Sequence, residues 1–121
     1  MKALKVLVGH LTGNEFGHDE LGLLKIAHDA NHDTPGYDHV CHLRDGFVLE
    51  GPHGSHTCLV LDAMGVNVLD IFRSIAGPMP TFLLKRITKH TLLALRFLHE
   101  DCGIVHAGES SSLAIVCFKL T

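Results

Sequence analysis

Residues 51–65, Gly51-Pro52-His53-Gly54-Ser55-His56-Thr57-Cys58-Leu59-Val60-Leu61-Asp62-Ala63-Met64-Gly65, constrain the fold more than any other stretch of the 121-residue chain. Gly51-Pro52 and His53-Gly54 punctuate the backbone, because proline fixes φ and glycine tolerates φ > 0. Cys58 to Leu61 is an apolar run of strand length bounded by turn signals, the pattern of a strand buried on both faces. The run stops at Asp62 and leaves through Ala63-Met64 to Gly65, where the chain can bend. Strands and one helix are expected before this stretch, helices and a short strand pair after it. A turn, a buried strand and a glycine exit between two differently built halves describe a hinge between two lobes.

The elements on either side follow from periodicity. Lys2 to Val8 alternates in part and predicts a strand. From Asn14 to Ala27, Phe16, Leu23, Leu24 and Ala27 recur near helical spacing, with acids in the first turns where the helix dipole favours them. Gly17 and Gly22 each weaken that helix by roughly 1 kcal/mol relative to alanine. Asn31-His32-Asp33-Thr34-Pro35-Gly36 ends it. Val40 to Leu49 predicts a second strand with a bend at Asp45-Gly46, and the turn at 51–54 makes it one arm of an antiparallel hairpin. Val68 to Ile75 predicts a short helix, ended by Gly77-Pro78. Thr81 to Glu100 predicts a long helix whose stripe is Leu84, Ile87, Thr91, Leu95 and Leu98, with Lys85, Arg86, Lys89 and His90 off it. Gly103 ends that helix, Gly108 to Ser112 is a polar loop, and Leu113 to Phe118 predicts a closing strand.

Composition narrows the class of function. With 46% hydrophobic and 19% charged residues the chain can bury a core and is not expected to be disordered. A net charge of -3 gives no reason to expect a nucleic-acid or membrane-surface partner. No apolar run approaches the roughly 20 residues of a membrane span, and Met1 to Val8 does not have the form of a signal peptide. Cys41, Cys58, Cys102 and Cys117 lie far apart in apolar runs, as reduced core cysteines of an intracellular protein do; a cytoplasmic or nuclear location is expected. Among eleven histidines, His28 with His32, and His56 with Cys58, have spacings a metal could use. Zinc needs three or four such groups to converge, so no metal site is expected. Lys85, Arg86 and Lys89 read as a solvated helix face, and Gly108-Glu109-Ser110-Ser111-Ser112 as a serine loop rather than a nucleophile elbow.

Four motifs in order resemble the middle of a protein kinase. Ala3-Leu4-Lys5-Val6 is similar to the A-[IL]-K strand, and Asp19-Glu20-Leu21-Gly22-Leu23-Leu24-Lys25 to a D-E-I-x-L-L-K helix. Gly51-Pro52-x-Gly54-x-His56-x-Cys58-Leu59-Val60 is similar to a G-x-N-G-x-H-x-C-x-V hairpin and hinge strand. Leu95-x-x-Leu98-His99-x-x-Cys102-Gly103-Ile104-Val105-His106 is similar to the long helix and the strand that enters the catalytic loop. Together they resemble the serine/threonine kinases of the SR-protein-specific (SRPK) family, the fungal relatives in particular. The resemblance implies an α+β fold, a partial kinase-like domain with part of the small-lobe antiparallel sheet and its helix (1–61), a hinge (62–65) and the first helices of the large lobe (66–121). It also implies roles. Lys5 neutralises the α- and β-phosphates of ATP and is held by Glu20. Leu61 takes the gatekeeper position, and the carbonyl of Asp62 and the amide of Met64 face adenine.

The same resemblance marks where the pattern breaks. The family's catalytic loop reads H-x-D-x-x-x-x-N, its aspartate accepting the substrate proton and its asparagine holding magnesium. Here the loop reads His106-Ala107-Gly108-Glu109-Ser110-Ser111-Ser112-Leu113, with Gly108 at the aspartate position, Leu113 at the asparagine position and Ser110 where a lysine is expected. Neither a glycine-rich loop ahead of Lys5 nor a D-F-G segment after Phe118 occurs. No catalytic residue is therefore expected, and Mg2+ belongs to the family only. The reading is a pseudokinase-like fragment with at most weak ATP binding; the family's substrates are serines of SR-type proteins. The alternative is a protein-interaction module, docking a partner through the exposed face of helix 81–100, or a gene remnant. Helices that cover that face in a kinase have no counterpart here, so self-association or marginal stability is expected.

Overall fold

The computed structural model describes residues 1–7 and 20–105. The expectations at Val8, Phe16, Gly17, Asp19, His106, Gly108, Glu109, Ser110, Leu113, Phe118 and Cys117 lie outside the described residues.

Three strands form one antiparallel sheet: β1 (Lys2–Val6), β2 (Leu43–Gly51) and β3 (Gly54–Asp62), in the order β1-β3-β2. The turn at Pro52-His53 joins β2 to β3, and the positive φ that closes it falls on Gly54 (φ 111). Strand β3 runs longer than the apolar run 58–61 suggests. Thr57, Cys58 and Leu59 are its buried residues, while Val60 and Leu61 are half-buried. Consecutive buried positions mean cover on both faces at the middle of the strand only.

Pairing sets which face meets α1 (Glu20–Asp29). Lys5, Leu59 and Gly46 form one row across the sheet. A Cβ on Gly46 would lie 2.5 Å from Leu21 Cδ1, so glycine at 46 lets α1 settle over this row. Leu24 and Ala27 are the buried apolar residues of α1, and Leu23 packs at the margin. Leu7, Leu43 and Leu59 meet them in a core that continues through Val40, Cys41, Ala94, Phe97, Leu98 and Ile104.

The connector after α1 carries a 3-10 turn (Tyr37–His39) that packs on α3 (Thr81–Arg96). Between sheet and α3, residues 63–67 are irregular until the Asn67 side chain accepts the Asp70 amide at 2.8 Å and caps α2 (Val68–Ser74). The α-helical part of 81–100 ends at Arg96 and widens into a π turn, Phe97–Asp101. That extra width moves the closing bond, Ile104 N–H to Leu98 O at 2.8 Å, one residue beyond the usual helix-end spacing, with Gly103 at φ 65. The stripe is corrected accordingly. Ile87, Ala94, Phe97 and Leu98 are buried, Leu84 is exposed, and His90 turns inward to stack on His39.

This is a partial protein-kinase-like α+β fold: part of the small-lobe antiparallel sheet with its helix, the hinge, and the first helices of the large lobe.

Candidate nucleotide site

The row Lys5–Leu59–Gly46 faces α1, and Glu20 stands one residue before the Leu21 that fills the space over Gly46. The structure accordingly brings two of the expected site residues together. Lys5 Nζ donates to Glu20 Oε1 at 2.7 Å. The carboxylate side chain is 10% exposed and the lysine side chain 39%. A buried carboxylate without a cation would cost several kcal/mol, so Lys5 compensates Glu20 while its own ammonium still meets solvent. A half-exposed ammonium held in one direction can also meet a phosphate oxygen, as a point charge with further N–H donors.

The other three residues lie at the far end of β3. Leu61 is half-buried and packs against the core, Asp62 is the last residue of the strand, and Met64 is exposed in the irregular segment. Two tethers hold this end. The Ala63 amide donates to the Met1 carbonyl at 3.3 Å. The Asp62 carboxylate accepts from Arg44 Nε at 2.9 Å and Nη2 at 2.6 Å. That pair raises the Arg44 guanidinium above its ordinary pKa, through the hydrogen bonds first and charge attraction second.

Sequence reasoning missed Arg44. The register running from Gly51↔Gly54 to Asp45↔Val60 would set Arg44 opposite Leu61; instead Leu43 takes that place and Arg44 is the extra residue of a bulge. The Asp45-Gly46 signal pointed to the irregularity, one residue late, and nothing in it says which side chain the bulge re-aims.

Other expectations fall elsewhere. Cys41, Cys58 and Cys102 are thiols rather than disulfide halves, Cys41 and Cys58 buried. The His56 ring meets the Leu7 carbonyl at 3.1 Å and His32 meets the His28 carbonyl at 2.7 Å. Among the described residues no group of three or more His, Cys, Asp or Glu converges as a metal site. None of their helices is long and apolar enough to cross a membrane. A cavity of about 550 Å³ lies on the outer side of α3, against Leu84, Lys85, Lys89, Leu92 and Arg96; none of the five expected site residues lines it.

The chain is similar in sequence to several protein kinases. No family model matches it. It is 32% identical over 116 residues to the protein kinase dsk1 of Schizosaccharomyces pombe, covering 95% of this chain and 21% of that protein. It is 33% identical over 108 residues to the serine/threonine-protein kinase SKY1 of Saccharomyces cerevisiae, covering 86% of this chain and 15% of that one. With the human SRSF protein kinase 3 it shares 33% identity over 118 residues, 95% of this chain and 20% of the kinase. Over most of its length the chain is similar to the SRPK-type serine/threonine protein kinases. It spans about a fifth of the length of the curated relatives it matches.

Proposed function

We propose that the chain is a pseudokinase-like nucleotide-binding unit that holds ATP weakly and does not transfer its phosphoryl group. In this reading 1–61 is the small-lobe part, 62–65 the hinge and 66–121 the start of the large lobe. The observation that carries it is the Lys5–Glu20 pair, set at 2.7 Å across a strand and a helix. Glu20 fixes the direction of the ammonium, and Lys5 offers its charge to the α- and β-phosphates. The Asp62 carbonyl and the Met64 amide take the adenine edge, and Leu61 closes the back of the pocket. Backbone recognition explains why Ala63 and Met64 need no polar side chains.

ATP would supply the transferable phosphoryl group, but the residues of this chain do not fit the metal that transfer needs. Leu113 has no ligand atom where the family has asparagine, and Gly108 has no group to accept the substrate proton. Phosphoryl transfer rests on positioning and electrostatics, so in this reading the chain alone carries no phosphoryl group to a serine. Its relatives are named as serine/threonine and SRSF protein kinases. An intracellular location, cytoplasmic or nuclear, goes with this reading.

Calorimetric titration with ATP, with and without magnesium, tests it. Binding in the millimolar range, unchanged by magnesium and weakened about tenfold in Lys5→Met, is expected from losing one charge-assisted contact. An absence of heat at millimolar ATP overturns the proposal.

A second reading has its own observation. Phe82, Leu84 and Leu92 are exposed along α3, so this face can dock a protein partner without any nucleotide.

A further inference from the structure

We propose that Arg44 is a positioning residue for nucleotide binding, bulged out of β2 to clamp the Asp62 carboxylate and so hold the hinge backbone in its adenine-facing direction. This rests on the hinge reading of residues 61–65.

The argument starts from register. A β-bulge leaves one residue unpaired and turns its side chain away from the regular alternation. Here the unpaired residue is Arg44, and its guanidinium meets both carboxylate oxygens of Asp62, Nε to Oδ1 at 2.9 Å and Nη2 to Oδ2 at 2.6 Å. A two-pronged contact fixes orientation as well as distance, which a single ammonium does not. The end of β3 is thereby gripped from both neighbours. Just ahead of β1 the grip is a backbone bond, the Ala63 amide donating to the Met1 carbonyl; from β2 it is the Arg44 side chain. The next side-chain anchor along the chain is the Asn67 cap of α2. The residues that would carry adenine recognition lie between these anchors.

Both side chains are partly exposed, 46% for Arg44 and 35% for Asp62. The clamp therefore contributes little to global stability, and its effect belongs to the direction of the backbone.

The test uses the whole chain and two probes, adenosine and inorganic tripolyphosphate. They separate the hinge from the Lys5 end of the site. Arg44→Met is expected to weaken adenosine about threefold and to leave tripolyphosphate unchanged, with the thermal midpoint held. The reversed pair, Arg44→Asp with Asp62→Arg, is expected to recover adenosine binding. If the parent chain binds adenosine and Arg44→Met binds it equally well, the clamp proposal fails and the hinge reading survives. Equal losses for both probes also overturn it, since a general loss of structure would do the same. If the parent chain binds no adenosine, the hinge reading falls and the proposal with it.

Discussion

Gly36 has room for a hydrogen and nothing larger. A Cβ there would sit 2.1 Å from the Leu93 carbonyl oxygen and 2.6 Å from Phe97 Cβ. The first obstacle is backbone, which cannot swing aside as a side-chain tip can. Gly36→Ala is expected to lift the connector from α3 and to destabilise the chain by about 1–3 kcal/mol, read from the urea midpoint. Gly46 is a milder case, because the atom in the way is the mobile end of Leu21. Neither close approach shows in the sequence, where Gly36 looks like one breaker among several. Lys5 and Glu20 stand fifteen residues apart, a separation with no periodic meaning; only their place in two family-like motifs pairs them. Arg44 escaped that route, because its partner depends on a register slip rather than on a motif.

Among the elements, β1, the hairpin and α2 follow from alternation, turn residues and breakers. The long helix follows as an element but not as a face. Its buried side turns toward Ala94 and Phe97 because the connector docks there, and a stripe drawn through leucines alone cannot know where a neighbour will sit. His90 reports that docking. Its ring stacks on His39 with centroids 4.1 Å apart and planes 19° from parallel. Burial lowers its pKa below the ordinary 6.5, and His39 across the contact and Arg86 and Lys89 on α3 add to the effect. A base whose folded pKa is depressed is protonated first in the unfolded chain as pH falls. The stability it contributes is therefore complete above about pH 6.5 and lost below it. Thermal midpoints should decline on acidification through that range, and His90→Gln should flatten the decline.

At the scale of the whole molecule, the described residues leave apolar side chains exposed on the sheet and on α3, among other places. Leu4, Val6, Phe47 and Leu49 stand exposed on the outer face of the sheet, and Phe82, Leu84 and Leu92 on α3. Those patches are the surfaces through which the expected self-association would run. The arrangement of strands carries a separate consequence. Each margin of the sheet zips to the middle strand and not to the other margin, so the two seams are free to open on separate schedules. In heavy water, Leu59 and Cys58 should label last, and backbone amides along Lys2–Val6 and Leu43–Gly51 should exchange at unlinked rates. A single shared rate for both margins would mean that the sheet breathes as one plate.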